Sequence, residues 1–166
     1  TPKGTYVCPV GFFCPDGNTY KSSDSNEGTC NKYIRDAYDP TCGSGSLLLS
    51  VAKHVEKVGR FYGQELNRTT FNLARMNMIL HDVHYKDFEI KQDNTLTTPM
   101  HLGQKFEAIV SNPPFSLKWE ANKLLLNDDR YSSYGILAPK DKADMAFIQH
   151  NLHHLDDKGI AAVVVP

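Results

Sequence analysis

The stretch IRDAYDPTCGSGSLLLSVAKHVEKV, residues 34–58, constrains the fold most, because an apolar segment passes through a glycine turn directly into a helical repeat. IRDAYD (34–39) ends in Asp39 and is broken by Pro40, so it reads as a strand. SLLLSVAKHVEKV (46–58) then sets Leu47, Leu48, Val51, Ala52 and Val55 on one face at helical spacing. The unit recurs. RFYGQE (60–65) reads as a second strand, and NRTTFNLARMNMILHD (67–82) as a helix that Asn67 caps and whose Phe71, Ala74 and Met78 form an apolar stripe.

Further on, FEIKQ (88–92) reads as a short strand, DNTL (93–96) as a turn, and FEAIVS (106–111) as a strongly apolar strand closed by NPPF, where two prolines forbid continuation. Residues 116–141 hold Trp119, Tyr131, Tyr134 and Pro139 without a clear period, which predicts a long functional loop with one helical turn near ANKLLL. ADMAFIQHNLHHL (143–155) reads as a helix that Gly159 ends, before a buried strand IAAVVV (160–165).

Strands alternating with helices imply right-handed crossovers and a parallel sheet covered on both faces, so the fold class is α/β. Such sheets bind ligands beyond the carboxyl ends of their strands, near the point where strand order reverses. That rule selects Asp39 to Ser46, Glu65, Asp93 and Asn94, and Asn112 to Phe115 as candidates. A length of 166 residues suits one medium domain, here residues 34–166, and 40% apolar with 22% charged residues is ordinary for a globular protein. The apolar runs AAVVV and LLL are far too short to span a bilayer. With 18 basic and 19 acidic residues the net charge is -1, which argues against a free-standing DNA binder.

Residues 1–33 form a separate, irregular opening segment rich in Gly, Pro, Asp and Ser. Its Cys8, Cys14 and Cys30 include no CxxC pair, so they are expected to be structural or adventitious thiols rather than metal ligands. TPKGTYVCPV lacks the features of a signal peptide, and a cytoplasmic location is expected.

The turn DPTCGSG (39–45) brings chemistry, since Gly43 and Gly45 let the backbone approach a ligand without a clashing Cβ. Glu65, at the next strand's end, is placed to accept hydrogen bonds from two ribose hydroxyls. The loop is neither GxGxxG nor GKS/GKT and has no Lys or Arg to meet a phosphate, so NAD and ATP fit less well than a nucleoside cofactor without phosphate. SNPPF (111–115) combines an amide, rigid prolines and an aromatic ring. The exocyclic amine of a nucleobase is a poor nucleophile that must be held and repolarised. The side-chain oxygen of Asn112 and the carbonyl of Pro113 suit its two N–H groups, Pro113 and Pro114 fix the geometry, and Phe115 suits stacking on an extruded base.

DPTCGSGSLL, YGQELN, DNTL and NPPF, in this order and spacing, resemble the modification subunit of type I restriction-modification systems, a family of S-adenosylmethionine-dependent adenine-N6 DNA methyltransferases. The resemblance covers residues 36–166 and implies a Rossmann-like methyltransferase sheet, mostly parallel and truncated after about the fifth strand. It implies that Asp39, Thr41 and Gly43, Ser44, Gly45 and Ser46 cradle the methionine half of the cofactor, Glu65 its ribose, and Asp93 with Asn94 its adenine. Asn112, Pro113, Pro114 and Phe115 would hold the target adenine, and no metal is required. The implied partners are double-stranded DNA with a flipped adenine, a specificity subunit, a restriction subunit and a second modification subunit. Thr1 and Pro2 match the end of a Tyr-Thr-Pro element at the cofactor pocket, whereas residues 3–33 depart from the helix that follows it in the family. Alternative readings are a methyltransferase-fold fragment acting as a partner-binding domain, and a methyltransferase acting on RNA or a protein amide.

Smaller signals are weighed separately. His150, His153 and His154 recur at helical spacing and are expected to form a solvated polar face. Asp144 is expected to cap or charge a helix start, and the resemblance makes it a rim residue of the base pocket. Trp119, Tyr131 and Tyr134 are expected to pack against the sheet more than to stack on DNA. The charges between 117 and 142 nearly balance, Lys118, Lys123, Arg130, Lys140 and Lys142 against Glu120, Asp128, Asp129 and Asp141, so no electrostatic DNA track emerges.

Overall fold

The computed structural model describes residues 33–165. The chain runs β1 (Tyr33–Asp39), α1 (Ser46–His54), β2 (Lys57–Glu65), α2 (Arg68–Leu80), β3 (Phe88–Gln92), β4 (Phe106–Ser111), α3 (Asp129–Ser132), α4 (Asp144–His154) and β5 (Leu155–Val163). The strands form one sheet in the order β3-β2-β1-β4-β5, every pair parallel. From β1 near the centre the described chain steps outward to β3, and returns to lay β4 against the other side of β1. Strand order reverses between β1 and β4, and their adjoining tips open the crevice where such sheets take ligands.

One sheet face is covered by α1 and α2. Its core holds Ala37, Leu48, Leu49, Phe61, Ala74, Met78, Phe88, Ile90 and Ala108, all buried, with Phe71, Val51 and Val55 partly buried against them. Of the predicted stripes, Leu48, Val51, Ala52 and Val55 from the first and Phe71, Ala74 and Met78 from the second reach this core, whereas Leu47 does not join it and Leu49 does. A second cluster gathers Tyr38, Phe106 and Ile109, and a third gathers Leu96, Trp119, Tyr131, Ala143, Ala146 and Phe147. α2 begins as anticipated, with Asn67 Oδ1 accepting the N–H groups of Thr69 and Thr70.

Several boundaries move. α1 stops at His54, not Val58, because Lys57 and Val58 pair with Tyr33 and Ile34 of β1 and so join β2. Tertiary pairing overrides the helical spacing of Val55. Gly159 does not end α4: the helix stops at His154 and Gly159 sits inside β5. An added Cβ there would lie 2.8 Å from the Phe106 carbonyl oxygen and 3.0 Å from that of Glu107. The glycine serves a close backbone approach where the β4–β5 register shifts, Phe106 opposing Leu155 but Ala108 opposing Ile160. The run IAAVVV is half-buried to exposed rather than buried, since β5 is an edge strand among the described residues. Residues 116–141 are less irregular than anticipated, holding a 3-10 helix (Lys123–Asn127) and α3, capped by the side chains of Asn122 and Asp128.

The histidines of α4 also depart from expectation. His150 and His154 are fully buried and His153 half-buried, so the helix presents no solvated histidine face. α4 is buried through Ala146, Phe147, Gln149, His150, Asn151 and His154, because segment 116–141 and the sheet enclose it from two sides. Among the described residues no helix is long and apolar enough to cross a membrane, and no group of three His, Cys, Asp or Glu could hold a metal ion.

Candidate active site

The glycine turn is locked from several directions. Gly43 and Gly45 have φ of +53° and +80°, the left-handed region that glycine enters without penalty. A Cβ on Gly45 would come into ordinary van der Waals contact with Met78 and Ala74 of α2. Asn77 of α2 donates from Nδ2 to the Ser44 carbonyl at 2.9 Å. Glu65, at the tip of β2, accepts the Gly43 N–H at 3.0 Å and the Asn67 N–H at 2.8 Å, one on each carboxylate oxygen. Each oxygen keeps a further lone pair for a ligand hydroxyl.

Asp39 closes β1 and is buried. It accepts the N–H of Thr41 at 2.9 Å and faces the Thr41 hydroxyl at 3.4 Å. Burial raises its carboxyl to about 7, against the lowering effect of these bonds to Thr41. Across the switch point, Thr41 Oγ1 lies 3.4 Å from Ser111 Oγ at the tip of β4.

Beyond β3, Asp93 Oδ1 accepts the Asn94 N–H, and Asn94 Oδ1 accepts the N–H groups of Leu96 and Thr97. Thr95 ties this turn to β1 by donating its hydroxyl to the Pro40 carbonyl at 2.5 Å. After β4, Pro113 is buried and Phe115 is 48% exposed. Ser116 turns the chain sharply with φ +53°, and its N–H meets Asp144 Oδ1 at 3.3 Å. Asp144 thus anchors the return from NPPF.

One cavity of about 570 Å³ joins these parts. Among the predicted site residues, Thr41, Glu65, Asn94, Asn112 and Pro114 line it, together with Pro40 and Asn67. Asp39, Gly43, Ser44, Gly45, Ser46, Asp93, Pro113 and Phe115 lie outside its wall, at or just behind the same strand tips. Thr1 and Pro2 fall outside the described residues. Leu66, Thr95, Leu96, Leu117, Lys118, Trp119, Glu120 and Phe147 complete the wall. Trp119 is 8% exposed and donates from Nε1 to the Pro139 carbonyl, folding its segment over the cavity. Tyr131 is buried, whereas Tyr134 remains exposed.

Sequence reasoning passed over Arg130. Its side chain is fully buried and bonded to Asp128, to the carbonyls of Thr95 and Leu96, and to His150. A single Arg beside two Asp residues in an aperiodic segment carries no signal of burial. Gln64 was also missed: its amide donates to the Thr98 carbonyl and accepts the Met100 N–H, fastening the chain between β3 and β4.

The parallel sheet, its switch point and the adjoining cavity define a Rossmann-like α/β fold, and its likeness to a solved methyltransferase subunit places it in the methyltransferase class. The chain superposes on a type I restriction-modification methyltransferase subunit from Streptococcus thermophilus with a TM-score of 0.78 and 43% identity, over 84% of this chain and 31% of that one. A family model described as N-6 DNA methylase matches residues 28–166. This chain belongs to the N-6 DNA methylase family. It is 46% identical to the type I restriction enzyme MpnII methylase subunit of Mycoplasma pneumoniae, over 79% of this chain and 27% of that protein. It is 34% identical to the HindI methylase subunit of Haemophilus influenzae, over 80% of this chain and 31% of that protein. The chain thus spans under a third of the length of these relatives.

Proposed function

We propose that this chain is part of the catalytic core of a type I modification subunit that methylates N6 of adenine in DNA using S-adenosylmethionine. The observation that carries this reading is that Asn112 and Pro114, from the motif after β4, share a cavity with Thr41, Glu65 and Asn94, from the tips of β1, β2 and β3. The relatives named above are methylase subunits of type I restriction enzymes, which supports the same reading.

The residues present fit the cofactor. A concave site of about 570 Å³ falls within the ordinary range for a nucleoside-sized ligand. Asp39, Thr41 and the turn Gly43 to Ser46 would hold its methionine half, Glu65 its ribose, and Asp93 with Asn94 its adenine. The cofactor supplies a methyl group activated by a positive sulfonium. Glu65 presents free lone pairs to a diol, and buried Asp39 contributes a carboxylate that a nearby cation would draw into its ionised form.

On the other side, Asn112 and the Pro113 carbonyl would accept the two N–H bonds of the adenine amine, holding its lone pair toward the cofactor. Phe115 is exposed and free to stack on a base swung out of the duplex. The specificity and restriction subunits, and a second modification subunit, are the partners this reading implies. The near-neutral charge of the chain fits DNA being held largely by other parts of the assembly.

The test is calorimetry of S-adenosylmethionine with the full-length protein, followed by tritiated methyl transfer into DNA, RNA and protein by the assembled complex. Binding with incorporation into DNA, lost in Asn112→Ala, is the expected result. Absence of cofactor binding together with an inert Asn112→Ala substitution would reject it, and incorporation into RNA or protein would reassign the substrate.

A further inference from the structure

We propose that Arg130 is a positioning residue for the cofactor site, holding the Asn94–Leu96 wall of the cavity in place from behind. The inference rests on the cavity being the cofactor site.

A guanidinium offers five N–H donors in a fixed fork, and here all five meet acceptors. Nε donates to Asp128 Oδ1 at 2.9 Å, and one Nη2 hydrogen to Asp128 Oδ2 at 2.7 Å. The other Nη2 hydrogen goes to the Leu96 carbonyl at 2.9 Å, and the two Nη1 hydrogens go to the Thr95 carbonyl at 2.8 Å and His150 Nδ1 at 3.0 Å. Because Arg130 can only donate, His150 must accept at Nδ1 and carry its proton on Nε2, which lies 2.9 Å from the Tyr38 hydroxyl. One side chain thereby joins α3, the turn after β3, α4 and β1.

The location gives this join its consequence. Thr95 and Leu96 line the cavity directly, and Phe147, one turn before His150 on α4, lines it as well. The turn itself lacks strand or helix ladders; its Asn94 bonds set its local shape but not its distance from the sheet. At its ends the turn is tied to β2 by the Asp93 N–H on the Glu65 carbonyl and by Gln64 on Thr98 and Met100; between them, residues 95–96 are held by the Thr95 hydroxyl on Pro40 in front and by the Arg130 fork behind, with the Tyr131 hydroxyl 3.4 Å from the Leu96 carbonyl. The pair of fully buried Arg130 with Asp128, whose side chain is 23% exposed, adds little net stability of its own. Its five-way geometry, by contrast, places two carbonyls with a definition no lysine can match.

The site that Asn112 and Pro114 build lies on the opposite wall and has no bond to Arg130. Loss of the fork is therefore expected to weaken cofactor binding while leaving turnover of the saturated enzyme nearly intact.

The experiment uses the full-length protein in its complex, with Arg130→Lys, His150→Asn, His150→Leu and, as a destabilised control, Ile34→Ala at the far end of β1. Asparagine keeps an acceptor near the position of Nδ1, and leucine removes it, while both lose the bond to Tyr38. Arg130→Lys is expected to raise the S-adenosylmethionine Kd about tenfold, with kcat at saturating cofactor within about twofold of the parent. His150→Asn is expected to bind nearer the parent than His150→Leu. Hydrogen exchange at the Leu96, Thr97 and Thr98 amides, read without cofactor, is expected to quicken in Arg130→Lys and not in Ile34→Ala. An unchanged Kd in Arg130→Lys, an equal loss in Ile34→Ala, or equal Kd values for the two His150 variants would overturn the inference. A parent complex that fails to bind the cofactor would overturn the proposed function instead, and unaltered exchange at those three amides would overturn the positioning role independently of it.

Discussion

Glu65 Oε2 accepts the backbone N–H of Gly43 at 3.0 Å, so the acidic tip of β2 holds the glycine turn that follows β1. The same carboxylate caps the entry to α2 through Asn67. A residue assigned from sequence to a ligand's ribose is thus also a structural clamp on the loop beside it. Glu65→Gln keeps the size but turns an amide N–H toward one of two backbone N–H donors. Leaving such a donor unmatched costs about 1–3 kcal/mol. S-adenosylmethionine affinity, measured by calorimetry, is expected to fall at least tenfold, with the midpoint of denaturant unfolding also lowered. An unchanged affinity would separate Glu65 from the ligand.

Gly45 is a conformational requirement. At φ +80°, alanine meets backbone strain, while an added Cβ would sit in ordinary contact with Met78 Cε at 3.4 Å. Gly45→Ala is expected to cost about 1–2 kcal/mol, from the left-handed penalty alone. Gly43→Ala, at φ +53° with open space around it, should lie at the lower end. Urea unfolding with constant m values checks both, and a neutral Gly45→Ala would contradict the loop conformation.

Acid should loosen the fold through its buried histidines. Burial, aided by neighbouring positive groups, lowers His150 well below its ordinary value; burial brings His154 to about 4 and also lowers His101. The unfolded chain takes up these protons near pH 6.5 and the folded one resists them, so stability present above about 6.5 falls as pH drops toward 4. Asp39, raised to about 7, works in the opposite sense: its contribution is complete below the unfolded value of 3.8 and fades as pH rises through 7. With His153 lowered as well, four histidines stand against one carboxyl and leave a net loss on acidification. His154→Phe is expected to flatten the slope of stability against pH between 6.5 and 4; an unaltered slope would show that His154 titrates normally.

Under the proposed function, the raised Asp39 carboxyl would also link cofactor binding to protons. A cationic ligand favours the ionised form, so binding below pH 7 is expected to release close to one proton, and affinity to rise with pH by up to about tenfold per unit until it levels near 7. Calorimetry at pH 6 in buffers of different ionisation enthalpy measures the proton directly. Asp39→Asn should abolish the pH dependence, and a buffer-independent enthalpy in the parent protein would count against the linkage.

Much of this site was legible because strand ends and turn chemistry are local. Asp39, Gly43, Gly45 and Glu65 stand at the ends of readable strands, and NPPF forbids strand continuation on steric grounds alone. Arg130 was illegible for the opposite reason: its acceptors lie on Asp128, on residues 95–96 and on His150, and no single window of sequence contains them. His150 and His154 misled in the same way, since polar residues at helical spacing look solvated until a second layer covers them.

Periodicity, glycine turns and proline stops specify an α/β chain and the order of its elements, since backbone sterics and side-chain spacing act over a few residues. Packing settles the rest. The burial of α4's histidines, the cession of Lys57 and Val58 from helix to strand, and the single cavity shared by Thr41, Glu65, Asn94 and Asn112 arise from contacts between segments far apart in the chain. The change at Lys57 and Val58 needs β2 to pair with β1, and the shared cavity needs β4 to return to the other side of β1; these long-range pairings outweigh the local preference.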